Sequence, residues 1–250
     1  MTTPRPHMPT VLAAALVAYL SAKILHEGVG HGLSCVAVGG DWQGVSTSWC
    51  ICEGLEGTSR MFEKAAGTLA NLLAGALALT RVRGAYWYGV WIFAAVNLLM
   101  GAGYVMVDPI GGFGDWTAIL EGAPGWARFA VAGVGLGLYL GTIRLLLRAA
   151  HPFVGADPGR LRPLTLVPWI TVGGVVMTGA ALFNQLGPKF GLTSALATIG
   201  GTSALAWMAE LLDRLPPGDG APAPGADRGW LLAGGVALMV LPVSGYGLRW

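Results

Sequence analysis

Long apolar runs separated by short polar segments dominate this chain. Hydrophobic residues make up 54% of the 250 residues and charged residues only 11%, whereas about a quarter of the residues in a soluble domain are charged. Because about 20 apolar residues in a helix match the thickness of a bilayer, the pattern predicts an all-α, polytopic integral membrane protein that lies in a lipid bilayer. A net charge of +2 predicts no nucleic-acid partner.

Seven apolar runs are candidates for transmembrane helices, and we predict six or seven spans. They cover residues 9–38, 61–80, 85–107, 126–147, 164–187, 190–212 and 230–246. The polar stretch after the first run contains Val45, Thr47 and Trp49 in alternation with polar positions, which is typical of a short strand or β-hairpin. The alternative for this stretch is an ordinary interfacial loop with tryptophan anchors.

The first apolar run carries three ionisable side chains close together, His26, Glu27 and His31. Ionisable residues are costly within a membrane span and are usually functional there. Two imidazoles and a neighbouring carboxylate are what a catalytic zinc site uses, the histidines as ligands and the carboxylate as a base. We therefore predict a Zn²⁺ site here. The alternative is a packing role, in which these side chains form hydrogen bonds with neighbouring helices.

The spacing of the two histidines constrains the backbone between them. They are five positions apart, one more than in the common His-Glu-x-x-His motif. Five steps along a regular α-helix leave the two rings about 140° apart around the axis, which prevents them from sharing an ion. A π-type turn restores a common face because its i to i+5 hydrogen bonds widen the helix, and Gly28 and Gly30 allow that distortion at low cost.

The segment His26-Glu27-Gly28-Val29-Gly30-His31 resembles the His-Glu-x-x-Gly-His motif of the dipeptidyl-peptidase III family, whose members are soluble. Its surroundings resemble more closely the site-2 protease family of intramembrane metalloproteases, with one residue inserted in the motif. The second resemblance implies a zinc endopeptidase that hydrolyses a membrane protein substrate. It also implies that His26 and His31 bind the metal and that Glu27 is the general base.

The same resemblance extends to two later segments. Gly67-Thr68-Leu69-Ala70-Asn71 is similar to the Gly-Pro-x-x-Asn element of site-2 proteases, which implies a catalytic role for Asn71 near the substrate or the metal-bound water. A catalytic zinc needs a third protein ligand, and Asp115 resembles the aspartate ligand of divergent members, with Asp108 as its rival. The alternatives are a helix-helix hydrogen bond for Asn71 and a helix cap for either aspartate.

The resemblance covers the first half of the chain. Residues 1–125 are predicted to form a metallopeptidase-like membrane core of three spans plus a re-entrant or loop segment. Residues 126–250 are predicted to add a helical bundle, with a flexible linker at 213–229 where proline and glycine cluster. Two other functions stay open: a metal-binding membrane protein that acts in transport or assembly without proteolysis, and an inactive relative that only binds partners.

The cysteines and the basic residues bear on how the chain lies in the membrane. Cys35 can pair with Cys50 or Cys52 if their loop faces an oxidising compartment, although unpaired side chains are the interpretation we favour for all three. Lys and Arg, counted on alternate sides of seven spans, are more numerous on the amino-terminal side. This predicts a cytoplasmic amino terminus in a plasma membrane of bacterial type, whereas site-2 proteases usually open toward the cytoplasm.

Overall fold

Residues 5–216 and 223–250 are described by a computed structural model that is 76% helical. Its α-helices are α1 (Met8–Ile24), α2 (Ser34–Ala37), α3 (Gly57–Leu79), α4 (Trp87–Gly111), α5 (Gly114–Ile119), α6 (Gly125–Val154), α7 (Pro158–Leu182), α8 (Pro188–Gly201) and α9 (Arg228–Tyr246). A π-helix, Leu25–Leu33, joins α1 to α2 without a break, and two short 3₁₀ helices, Ser203–Ala206 and Met208–Arg214, follow α8.

Five helical segments in the described ranges are long and apolar enough to cross a membrane. They are the continuous helix Met8–Ala37 and helices α4, α6, α7 and α9. Helix α3 falls short because Glu63, Lys64 and Asn71 make it more polar, and α8 falls short because it has only 14 residues. The prediction of a mostly helical chain is therefore confirmed, with five candidate spans where six or seven were expected.

One hydrophobic core runs through the helical bundle, with α4 at its centre. The side chains of Trp91 and Leu99 on α4 are completely buried, and α4 packs against α1, α3 and α6. Across the last of these interfaces, Trp91 Nε1 donates a hydrogen bond to the carbonyl of Leu146 at 2.9 Å. The core thus has members on both sides of residue 125, and the predicted division of the chain at that residue stays a prediction.

A small antiparallel sheet lies beside the π-helix at one end of the bundle. Its strands are β1 (Asp41–Val45), β2 (Cys50–Glu53) and β3 (Leu248–Arg249), in the order β2-β1-β3. The predicted hairpin after the first helix is confirmed, but Thr47 and Trp49 lie in its turn and not in a strand. The indole of Trp42 on β1 covers Gly32 so closely that a Cβ there would lie 2.5 Å from the ring, which holds the sheet against the π-helix.

A disulfide bond joins Cys35 of α2 to Cys52 of β2, and Cys50 is free. The favoured interpretation of three unpaired cysteines is therefore wrong for two of them. The pair forms because the hairpin folds back over α2 and brings Cys52 to the helix end. Disulfides persist in oxidising compartments, and the side of the membrane on which this loop lies stays a prediction.

The predicted linker at 213–229 falls partly on residues 217–222, which lie outside the described residues. Its first residues belong to the second 3₁₀ helix, and its last two begin α9. In the described part between them, Pro224 accepts a backbone hydrogen bond from His7 at 2.8 Å, and the Asp227 N–H donates to Thr10 Oγ1 at 3.1 Å. This part of the segment is therefore attached to the start of α1.

Candidate metal centre

The π-helix Leu25–Leu33 brings the two motif histidines to one side of the first helix. His26 and His31 are both buried, and their ring centroids lie 4.8 Å apart. The predicted π-type turn is confirmed, and it is longer than the single turn that we expected. The inserted residue of the motif is accommodated because the wider helix absorbs it.

Three ligand atoms converge at this point. Asp115 Oδ2 lies 3.3 Å from His26 Nε2 and 3.1 Å from His31 Nε2, and the three side chains form a group able to hold a metal ion. A tetrahedral zinc with bonds of about 2.0–2.2 Å keeps its ligand atoms about 3.3–3.6 Å apart. The two separations to Asp115 are close to that range, and all three ligand atoms lie within 4.8 Å of one another, so the group could hold a metal ion such as zinc after a small adjustment of the two rings.

The other ring nitrogens fix how the two imidazoles point. His26 Nδ1 donates to Asn71 Oδ1 at 2.8 Å, and His31 Nδ1 donates to the backbone carbonyl of Glu63 at 2.8 Å. With Nδ1 protonated, a neutral ring would present the lone pair of its Nε2 to a metal ion, whereas without a metal a protonated ring donates from Nε2 to Asp115 Oδ2. Metal-binding histidines in proteins are usually oriented by such a second hydrogen bond.

Asn71 lies beneath His26 and away from the cavity wall. Its Nδ2 donates to the carbonyl of Ala22 at 2.9 Å and to Asn97 Oδ1 at 2.8 Å, so its amide is fully occupied. The side chain is completely buried. Its contact with the site is therefore through His26, and the alternative of a helix-helix hydrogen bond describes the rest of its interactions.

The structure brings Asp115, and not Asp108, to the two histidines. Asp115 stands in the first turn of α5, directly after Gly114, whose φ of +77° turns the chain back toward the π-helix. Asp108 is buried near the end of α4, and its carboxylate packs against Gly114 at the start of α5, so closely that a Cβ on Gly114 would collide with it. Asp108 thus supports the start of the short helix that carries Asp115, and it does not reach the two histidines.

The charges around Asp115 keep it ionised. Burial alone raises the pKa of this carboxyl, but the charge of His31 and hydrogen bonds from both imidazoles outweigh burial and hold the pKa well below its usual range. Lys64 Nζ lies 3.9 Å from Asp115 Oδ1 and 3.3 Å from Glu63 Oε2. A carboxylate that stays charged is the form that binds a metal ion.

A cavity of about 290 Å³ opens over the three ligand atoms. Glu27 lines it next to His26, and within the described part of the chain its carboxylate accepts no hydrogen bond. The opposite walls come from the hairpin and from one face of α8; they are lined by Ser48, Trp49, Cys50, Phe190, Thr193 and Ser194. The cavity therefore unites the metal group, a free carboxylate and a strand edge.

Close packing of two glycines holds α3 against the site. A Cβ at Gly67 would lie 2.5 Å from His31 Nε2 and 2.8 Å from His26 Nε2. A Cβ at Gly30 would in turn collide with the backbone of Gly67. Glycine is needed at Gly30 because its backbone packs directly against the backbone of Gly67. It is needed at Gly67 because the backbone there also packs against the Nε2 atoms of the two histidines.

Sequence reasoning missed the contributions of α3 other than Asn71. Glu63 had a usable signal, since it is an ionisable residue in a predicted span, but its contact with His31 is made mainly through a backbone carbonyl. Trp116 Nε1 donates to Thr68 Oγ1 at 3.1 Å, which ties α5 to α3. Gly67 had no signal of its own, because glycine is common throughout the apolar runs.

A scan against protein-family models, a search of curated proteins and a search of solved structures found no match to this chain. The resemblance to site-2 proteases therefore stays a prediction from short motifs. The chemical interpretation of the site depends on the geometry given above.

Proposed function

We propose that this protein is an intramembrane zinc endopeptidase similar to site-2 proteases, which hydrolyses peptide bonds of a membrane-embedded or membrane-associated protein. One observation carries the proposal: Asp115 Oδ2 lies 3.3 Å from His26 Nε2 and 3.1 Å from His31 Nε2, beside a cavity that Glu27 also lines. Two histidines, one carboxylate and an adjacent free carboxylate are the side chains that zinc peptidases use.

The chain's own residues have separate tasks in this mechanism. A bound zinc would polarise the scissile carbonyl and acidify water. Glu27, which lies free on the cavity wall, takes a proton from the attacking water and then delivers it to the leaving amine nitrogen. Asn71 and the carbonyl of Glu63 keep His26 and His31 in the tautomer that presents Nε2 to the ion.

The sheet offers a means of binding the substrate. Strand β2 is at an edge of the sheet, and its first residue, Cys50, lines the cavity. An extended peptide can add to such an edge through backbone hydrogen bonds, which would carry its scissile bond past Glu27. The proposal also makes the chain a multi-pass protein of a bacterial-type plasma membrane. Helices α3 and α8 would then be additional crossings, shielded from lipid by the other helices.

The proposal is tested by Glu27→Gln in detergent-purified protein, with metal content and cleavage of fluorescein-labelled casein measured on the same preparation. We expect about one zinc per chain in both proteins, and a loss of cleavage of about 10²- to 10⁴-fold in the variant, the contribution typical of a general base. His31→Ala should lose the zinc itself. Glu121→Gln, at an exposed glutamate outside the cavity, is the matched control and should change neither quantity.

A Glu27→Gln protein with the wild-type cleavage rate would refute the peptidase mechanism. Zinc bound without any cleavage by the wild-type protein would favour the non-proteolytic alternative, in which the same three ligands serve transport or assembly. The best evidence for the third function, an inactive relative, was the inserted residue of the motif, which would turn the two histidines apart in a regular α-helix. The π-helix removes that geometric reason.

A further inference from the structure

A lysine is buried within the first helix, one turn before Glu27. Lys23 is only 5% exposed, and its Nζ donates to Ser194 Oγ and to Thr198 Oγ1 of α8, each at 3.1 Å. Both acceptors are neutral hydroxyls. Among the described residues no carboxylate oxygen lies within 4.0 Å of this ammonium group, and no third acceptor meets its remaining N–H.

The Thr198 hydroxyl has no hydrogen-bonding capacity left, whereas the Ser194 hydroxyl accepts from Lys23 and, among the residues that the structure describes, keeps its own O–H free to donate. Thr198 Oγ1 donates to the carbonyl of Ser194 at 3.0 Å, so it can only accept from Lys23 and from the Tyr104 hydroxyl, which lies 3.0 Å away. A buried ammonium whose hydrogen-bond acceptors are all neutral is costly, and the charge of Glu27, one turn along the helix, acts on it only from beyond ion-pair distance. By contrast, Lys64 on the other side of the site is already paired with Glu63 at 3.3 Å.

Lys23 adjoins the metal cavity. Its acceptor Ser194 lines that cavity, and Lys23 itself lines a second cavity of about 20 Å³. Ser48 of the hairpin turn lines both. The smaller space is sufficient for one group of the size of a water molecule, such as a carboxylate oxygen, and is too small for a phosphate.

We propose that Lys23 and Ser194 form a carboxylate-binding subsite next to the metal centre. A ligand held at the metal by one end would extend past Ser48 and Ser194 and would place a carboxylate against the ammonium of Lys23. This inference rests on the proposed function, because it makes the subsite a determinant of peptide specificity. The carboxylate belongs either to an Asp or Glu side chain of the substrate or to a free carboxyl terminus.

The test uses the full-length protein with Co²⁺ in the metal site, whose visible spectrum reports a ligand at the metal. Succinate, glutarate and adipate are titrated against their monoamides, so that each pair differs only in the second carboxylate. At one chain length we expect the diacid to bind about tenfold to hundredfold more tightly than the monoamide, as a hydrogen bond to a buried charge allows. Lys23→Met should reduce that ratio to near one, and Lys189→Met, at an exposed lysine of α8, should leave it unchanged.

A diacid-to-monoamide ratio near one at every chain length in the wild-type protein would overturn the subsite, and this result needs no variant to fold. An unchanged ratio in Lys23→Met would overturn it as well. The two carboxylate sources are then separated with peptides: a Glu/Gln pair tests the side chain, and a free-acid/amide pair tests the carboxyl terminus. A difference in affinity within either pair that disappears in Lys23→Met supports the subsite. The absence of such a difference in both pairs contradicts it.

Failure of the proposed function would look different. Metal bound with a diacid preference but without casein cleavage would contradict the peptidase alone. Metal bound without the preference would contradict the subsite alone. A protein that binds no metal would contradict both.

Discussion

Substitution of Gly67 by alanine tests the geometry of the metal centre most directly. The added Cβ would lie 2.5 Å from His31 Nε2, which is 0.9 Å shorter than the 3.4 Å at which ordinary contacts begin, and 2.8 Å from His26 Nε2, which is 0.6 Å too short. Helix α3 or the two rings must move by that amount. Metal-ligand distances tolerate about ±0.2 Å, so the convergence of the ligands is lost.

We expect Gly67→Ala to weaken zinc binding by at least about a hundredfold, the upper end of what changes behind metal ligands cost. The assay is competition with a chromophoric chelator in detergent, with circular dichroism used to confirm the helical content. Gly28→Ala is the matched control. Gly28 lies within the motif itself, yet a Cβ there meets nothing within 4 Å, so zinc affinity should stay unchanged and the helix should gain up to about 1 kcal/mol.

The two outcomes together decide the matter. A Gly67→Ala protein that is folded and binds zinc with wild-type affinity would refute the contact of α3 with the ligand nitrogens. A loss of zinc binding in Gly28→Ala would show that an added methyl group anywhere in the motif disturbs the site, whether or not it touches α3.

Three further predictions concern the surroundings of the site. Asp108→Ala should weaken zinc binding by about tenfold to hundredfold, because α5 loses the carboxylate that packs against Gly114 just before Asp115. Asp115→Ala should weaken it more, and equal affinities in Asp108→Ala and wild type would contradict this positioning role. Cys35→Ser should lower the free energy of unfolding by about 3 kcal/mol, as expected for a closed loop of this length, while Cys50→Ser, the free cysteine, should not. Burial raises the pKa of the Cys50 thiol to about 12, so at pH 8 only about one thiol in ten thousand is ionised. Iodoacetamide should therefore label Cys50 far more slowly in the folded protein than in detergent-denatured protein. Rapid labelling of the folded form would contradict this burial.

The parts of the site that lie in one short segment were predictable from the sequence. His26, Glu27 and His31 are expensive residues in an apolar run, and their spacing together with Gly28 and Gly30 indicated a π-type turn. Asp115 was proposed from a motif resemblance and not from physics, since two aspartates in the same loop have equal chemistry. What distinguishes Asp115 from Asp108 is that the chain turns back toward the π-helix at Gly114, so that α5 brings Asp115 to the histidines, and this depends on tertiary structure.

The remaining parts depend on contacts between distant segments. The group of Glu63 that contacts His31 is a backbone carbonyl, which every residue has, so the sequence contains no signal for this contact. The choice of Cys52 over Cys50 as the partner of Cys35 depends on strand register, because Cys52 pairs with Trp42 across the hairpin. Strand β3 has only two residues, too few for an alternating pattern, and it forms because β1 offers it an edge.

The inserted residue of the motif and the glycines of α3 are connected by geometry. A π-helix is wider than an α-helix, so it brings its backbone closer to a neighbouring helix at the point where it bulges. Gly30 lies at that point, and a Cβ there would meet the backbone of Gly67. Two histidines five residues apart can therefore share an ion only when the neighbouring helix has no side chain at the point of contact. Gly67 meets this condition. If this reasoning holds, removal of Val29, which restores the four-residue spacing, should not restore binding to a Gly67→Ala protein, because the methyl group would still stand where the ligand nitrogens meet.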